Sequence, residues 1–501
     1  MLAACGSSAS TTPAASSADT SSDTGASSTE AAASTEAAAD GSLHVAMNTD
    51  IQTMDVHKTN NDYMVPLNIF DRLFEIKTNA DGSTELEKSL VEDYTVSDDG
   101  LTYDFTLRSG VTFSDGTPLT ANDVKYTFTR MLALPDSVQT DYASAIAGAE
   151  AVMDGTATDL EGIQVIDDKT IQFTTKDSMS LTTFENSYAR YLLTLPKHVI
   201  EKYTEEELST AEWFNQPDVI SGPFYVTEFD VDHYISYKAN PDYWKGAPKI
   251  DKLNIKIVDG SQLYAGLQSG EIDITQHTMS VIPPEDYASV EALDNVDVVY
   301  GSPVTNQSMF IQTANVPDVR VRQAMLYAIN REQLLSELLD GHGEVVDGFL
   351  SSASPFYDDS ITPVTYDPEK AKALLEEAGW DGSQTLRFYV NSGDSTFVNA
   401  ATVMVAQWAA VGIKAEVQTV DFATLMSVAG TRDYDILAVQ YTYAPVDPYP
   451  DVAWLLGGEG SWTGYGDDEV NKALTSTQLT SDVDEIKGLY SICLLYTSDA
   501  A

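Results

Sequence analysis

Between residues 386 and 440 the chain changes pattern four times, and this alternation limits its fold more than any other feature. Residues 386–390 read as a strand, 399–411 as a helix, 414–419 as a strand, 422–429 as a helix and 434–440 as a strand. Apolar positions recur every second residue in the strand segments and at helical spacing between them, which predicts an α/β lobe. Two helices precede it. Residues 320–339 place Ala324, Ala328 and Leu335 on one face, and 368–378 end at Gly379, a residue suited to a helix C-cap.

The first half reads differently. Residues 102–107 alternate, with Tyr103, Phe105 and Leu107 on one face of a half-buried strand. Ser109-Gly110 is a turn, 111–113 resume the strand pattern, and 114–118 form a second turn. Thr120, with Asp123 three residues on, has the form of a capping box opening a helix through Val124, Phe128 and Met131. Around this unit, 43–47 read as a strand, 65–74 have helical spacing and 163–173 form a hairpin. Strands are predicted from 221 onward, at 233–238 and at 252–258, then a helix at 262–269. Extended runs at 296–300 and 308–312 flank 301–307, which fits a crossing between lobes.

Charge excludes several functions. The 501 residues carry 77 acidic against 27 basic side chains, a formal charge of −50. Nucleic acid is therefore not a partner to expect, nor is direct adsorption to anionic lipid headgroups. Cys5 and Cys493 lie at opposite extremes and the six histidines are scattered, so no metal or thiol-redox site is predicted. Nucleophile elbows, phosphate loops and calcium-loop spacing are missing, and no cofactor is expected. Paired carboxylates such as Asp167-Asp168 sit beside turn signals and read as solvated turn residues. A secreted hydrolase would need a compact catalytic constellation, which the sequence does not offer.

Leu2-Ala3-Ala4-Cys5-Gly6-Ser7 has the wording of a bacterial lipoprotein cleavage box, without the charged and apolar regions that would precede it. Residues 1–5 then read as a signal remnant with Cys5 as lipid acceptor. Residues 6–41 are almost wholly Ser, Ala, Thr, Asp and Glu, and are predicted to be a disordered tether. At the other end, Cys493 to Ser498 is what TGT CTC TTA TAC ACA TCT encodes, a string that resembles a transposon-end sequencing adapter. On that reading 493–501 are foreign and a native C-terminal part of the first lobe is missing. A genuine amphipathic tail is the alternative.

One loop stands out for chemistry. Residues 441–450 hold Tyr441, Tyr443, Asp447, Tyr449 and three prolines. Aromatic walls with one carboxylate at a strand's C-terminal end suit a cationic or amine-bearing ligand. A packed, proline-rich surface loop is the structural alternative.

Several phrases together carry a resemblance. They are Leu107-Arg108-Ser109-Gly110-Val111, Asp115-Gly116, Pro118-Leu119-Thr120-Ala121, Ser221-Gly222-Pro223-Phe224, Asn240-Pro241-Asp242-Tyr243-Trp244, and Val321-Arg322-Gln323-Ala324 to Ala328-Ile329-Asn330-Arg331. In this order the chain resembles the family 5 extracellular solute-binding proteins of ABC importers, which include oligopeptide- and dipeptide-binding proteins. The resemblance implies a two-lobed, periplasmic-binding-protein-like α/β fold of class II, in its large three-part form with a hinge. Lobe I would take 42–80 and 190–302, an inserted subdomain 81–189, and lobe II 303–490, with ligand enclosed by hinge closure. It implies no catalysis, a monomer anchored at the extracellular face of a bacterial cell membrane, or periplasmic in a Gram-negative cell, and a peptide delivered to an importer of permease and ATPase subunits. A sugar oligomer or metal chelate is the alternative cargo.

By the same resemblance, the backbone of Asn60-Asn61-Asp62-Tyr63 would pair with a peptide as an added strand. The peptide's amino group would be held by an aspartate in the 441–448 loop. The oligopeptide-type position falls on Ala444, a departure, whereas Asp447 matches the dipeptide type, with Tyr441 and Tyr443 beside it. The arginine that holds a dipeptide's carboxylate would fall near 391–396, where no basic residue stands.

Overall fold

The computed structural model describes residues 41–48, 51–59, 65–78, 84–185, 192–210, 212–275, 281–300, 305–361, 363–443, 447–457 and 461–500. All belong to one compact unit, Asp40–Ala501.

The first sheet runs in the order β11-β1-β10-β9-β8, from β1 (Ser42–Met47), β8 (Phe224–Asp230), β9 (Tyr234–Ala239), β10 (Lys252–Ile257) and β11 (Ile274–Thr275). Strand β1 pairs in parallel with β10 and β11, and the other pairs are antiparallel. Alternation along β1 sends Met47 into a core with Ile69, Phe70, Ile235 and Tyr237, and Ala46 into a second core with Leu263, Leu267 and Val290.

The strand reading of 102–107 and the capped helix opening at Thr120 hold in the structure. A hairpin of β2 (Phe74–Thr78) and β3 (Thr84–Lys88) leads to a sheet ordered β4-β5-β7-β6: β4 (Val91–Val96), β5 (Thr102–Leu107), β6 (Ile163–Val165) and β7 (Thr170–Thr174). Tyr103, Phe105 and Leu107 are buried, and Phe105 lies within 5.6 Å of the rings of Phe74, Phe173 and Phe184. The capping box forms: Thr120 Oγ1 accepts the Asn122 N–H, and Asp123 Oδ2 accepts the Thr120 N–H at 2.9 Å. The same carboxylate accepts the Lys197 N–H at 3.1 Å, tying this helix, Ala121–Ala133, to the segment that returns to the first sheet.

Two of the phrases that carry the resemblance, 221–224 and 240–244, meet on Asp71. The buried carboxylate of Asp71 accepts the Tyr243 hydroxyl at 2.8 Å and the Trp244 indole N–H at 2.9 Å, and the Asp71 N–H donates to Ser221 Oγ. Burial raises the Asp71 pKa against those hydrogen bonds. Close by, the Arg130 guanidinium makes two bonds to the Asp55 carboxylate and two to that of Glu205, and its face lies over Phe214.

The last sheet has the order β12-β15-β13-β14, from β12 (Thr305–Ile311), β13 (Thr385–Asn391), β14 (Lys414–Val420) and β15 (Ile436–Thr442). Strand β13 pairs in parallel with β14 and β15, while β12 runs antiparallel to β15 at the edge. Ile436 and Ala438 face one core with Trp408, Leu386 and Leu375. Leu437 and Val439 face the other, with Leu425, Val452 and Tyr490, which explains the unbroken apolar run in β15. The helix Val483–Ala500 continues past residue 492, with Cys493 and Leu494 buried in that second core.

Four local readings change. Residues 65–74 hold a 3-10 turn, Pro66–Asn68, rather than a helix, because the Ile69 carbonyl accepts the N–H groups of Ser221 and Gly222 instead of continuing a helical ladder. The helix expected over 320–339 is two, Val319–Tyr327 and Arg331–Leu338, since the Asn330 side chain caps the second by accepting the Gln333 N–H. Residues 111–113 and 296–300 form no strand; a single bridge joins Thr112 to Pro118.

Candidate functional site

Among the described residues β12 pairs only with β15, with Asn306 opposite Tyr441. Beside this edge lies a cavity of about 270 Å³, lined by consecutive residues 306–311 of β12. The rest of the lining includes Leu326, Ile329, Phe397 and Met404, then Val346–Phe349, Leu455 and Tyr465, and Tyr441. The helix Ser395–Val411 supplies Phe397 and Met404, seven residues apart and so on one face. Asn306 Nδ2 donates to the Gly348 carbonyl at 3.1 Å, which closes the loop over the strand. Gly348 has φ +118°, a backbone conformation that side-chain-bearing residues rarely adopt, so glycine is favoured there.

The two charged lining residues neutralise each other. Arg331, first residue of its helix, lies 2.5 Å from Asp347 and donates to the carbonyls of Val346 at 2.9 Å and Val364 at 2.6 Å. The Asp347 carboxylate also accepts the Val364 N–H.

Of the loop residues singled out in the sequence, Tyr441 lines this cavity. Tyr443 does not: it is buried, its hydroxyl accepts the Ser351 N–H at 2.9 Å and bonds Ser351 Oγ, and burial raises its pKa. Asp447 is 7% exposed, with Oδ1 accepting the Tyr449 N–H at 3.0 Å. After burial, the Asp447 charge is the next cause holding the Tyr490 phenol well above its ordinary pKa. Asp447 thus lies against the core around Tyr490 and is not among the cavity's lining residues. Asn60, Asn61, Asp62, Tyr63, Ala444 and Cys5 lie outside the described residues.

Sequence reasoning missed Arg331, Asp347, Phe349 and Met404 as lining residues. The 397/404 spacing was a usable signal, but spacing alone does not separate a cavity wall from a core face. Among the described residues no group of histidine, cysteine and carboxylate side chains is arranged to hold a metal ion.

This two-lobed α/β fold is shared with solved binding proteins. The oligopeptide-binding protein AppA from Bacillus subtilis, solved in complex with a nonapeptide, superposes with a TM-score of 0.71 at 23% identity, over 92% of this chain and 91% of that one. Residues 85–463 match the bacterial extracellular solute-binding proteins, family 5 Middle, and the chain belongs to that family. Similar relatives include the dipeptide-binding protein of Escherichia coli (strain K12), 29% identical over 80% of this chain and 75% of the relative. Heme-binding protein A of Haemophilus influenzae is 28% identical over 71% of this chain and 65% of its own length.

Proposed function

We propose that this chain is the substrate-binding subunit of an ABC importer, capturing short peptides between two lobes and delivering them to a membrane permease and its ATPase. The observation that carries the reading is the cavity along the edge of β12 in a chain of this family. An extended peptide can satisfy the outward backbone groups of such an edge, which a sugar oligomer or metal chelate matches less well. Peptides are also what the names of the Escherichia coli and Bacillus subtilis relatives state for those proteins.

Within this reading, lobe I takes 42–80 and 190–302, the inserted subdomain 81–189 and lobe II 303–490. Cys5 carries a lipid on the outer face of the membrane and 6–41 act as the tether; the start of the compact unit at Asp40 supports that division. The protein works as a monomer without catalysis. The backbone of Asn60 to Tyr63 pairs with the peptide, and Asp447 receives its amino group, since a buried ammonium needs a carboxylate.

The decisive experiment is a thermal-shift screen of peptides of two to eight residues, with heme, sugar oligomers and metal chelates in parallel. Concentration-dependent stabilisation by peptides is expected. Stabilisation by a non-peptide solute with none by peptides overturns the proposal. For the amine anchor, Asp447→Ala is expected to weaken free-amino peptides more than their acetylated forms.

A further inference from the structure

We propose that the cavity beside β12 is a side-chain pocket that selects an uncharged, apolar residue of the bound peptide. This rests on the peptide reading above and goes beyond it by naming which peptides bind best.

Lining and electrostatics point the same way. The lining includes the apolar side chains of Leu326, Ile329, Phe349, Phe397, Met404 and Leu455. A group entering between them leaves water for aliphatic and aromatic surface. The two charged residues of the lining already face each other. Arg331 donates to two backbone carbonyls and forms an ion pair with Asp347, whose carboxylate also accepts the Val364 N–H. An ammonium or carboxylate placed here would be desolvated without a free counter-charge, which is strongly unfavourable. The polar groups of Asn306, Gln307 and Ser308 follow the strand, with Thr313 and Thr463 also in the lining. A peptide backbone can therefore be met at the edge while its side chain enters the apolar depth. Met309 and Met404 give the walls adaptable surface, so leucine, methionine and phenylalanine all fit the description rather than one shape alone.

The test is a panel of polyalanine peptides of two to eight residues, each carrying one Leu, Phe, Lys or Glu at a varied position, titrated calorimetrically against the full chain. At one position Leu and Phe are expected to bind on the order of tenfold tighter than Ala, with Lys and Glu weaker than Ala. Met404→Ala is expected to reduce the Leu-over-Ala preference at that position and to admit Trp. Should that variant fail to fold, Leu455→Ala, at another lining residue, serves in its place, read by the same preference ratio. Peptides that bind with no apolar preference at any position, or variants that leave the ratio unchanged, overturn the pocket and leave peptide capture standing. Binding of none of the panel overturns both.

Discussion

The rings of Tyr300 and His342 lie nearly flat on each other, centroids 4.4 Å apart and planes 9° from parallel. Tyr287 meets His342 edge-on at 5.2 Å, and Glu291 accepts the Tyr300 hydroxyl while lying 3.8 Å from His342 Nε2. His342 follows the helix Arg331–Leu338 on a turn whose Asp340, Gly341 and Gly343 all have positive φ. The contact therefore joins the core around Val290 to the half of the chain that begins with β12. In a double-mutant cycle of Tyr300→Ala and His342→Ala, a coupling of about 0.5–1.5 kcal/mol is expected from urea midpoints. Additive losses would mean that the stack holds nothing together.

Arg130 is the buried cation at the junction between the inserted helix and the first sheet's segment. Burial opposes its charge, but the hydrogen bonds and charges of Asp55 and Glu205 outweigh that and raise its pKa. Arg130→Met strands the Asp55 carboxylate and is expected to cost about 3–5 kcal/mol. Removing both charges, with Asp55→Leu and Arg130→Met together, is expected to cost less than Arg130→Met alone. Arg130→Lys should not rescue, because a single ammonium cannot repeat the two-pronged contacts. Denaturant titrations of the four proteins decide this.

Gly222 is a different kind of constraint. A Cβ there would stand 2.6 Å from the carbonyl carbon of Ile69, which is backbone and cannot swing aside. Gly222→Ala is expected to lose about 2 kcal/mol or more, with the Ile69 bonds to Ser221 and Gly222 disturbed. Gly430→Ala is the control, since nothing lies within 4 Å of a Cβ there and its φ is not positive. Equal thermal midpoints for the two variants would refute the close-approach argument.

What the sequence disclosed followed local chemistry. The Thr120–Asp123 cap, the Tyr103/Phe105/Leu107 face and Gly379 at φ +70° depend on near neighbours, and all could be read from spacing. The failures came where distant segments compete for backbone groups: Ser221 and Gly222 take the Ile69 carbonyl, and Gln407 accepts the Asn330 N–H where a long helix had been expected. The site was half legible for the same reason. Tyr441 announced itself as an aromatic at a strand end, while Arg331 and Asp347 become one neutral pair only when residues sixteen apart are folded together. Tyr443, equally conspicuous in the sequence, is spent on Ser351.

His57 gives the structure a sensitivity to acid with a defined sign. Its ring is fully buried; Nδ1 takes an N–H from Arg130 at 2.9 Å, so the proton sits on Nε2, which has no hydrogen-bond partner. Burial first, and the Arg130 charge second, push its pKa down to about 3, against a partial counter-pull from Asp55. A neutral native histidine binds fewer protons than the unfolded one between pH 6.5 and 3, so stability is intact above pH 6.5 and falls as the solution is acidified through that window. From pH 7 to pH 5 the loss from this group is expected to be about 2 kcal/mol. The Asp55 pKa is also lowered, which adds loss of the same sign only below the ordinary carboxylate range. Glu185, pushed up to about 7 by burial, contributes with the opposite sign in both proteins. His57→Gln is therefore expected to shift the change between pH 7 and 5 by about 2 kcal/mol relative to the parent while lowering stability at pH 7, as read from urea midpoints at each pH. Parallel profiles for the two proteins would show that His57 is charged in the native state, and the contact with Arg130 would have to be drawn differently.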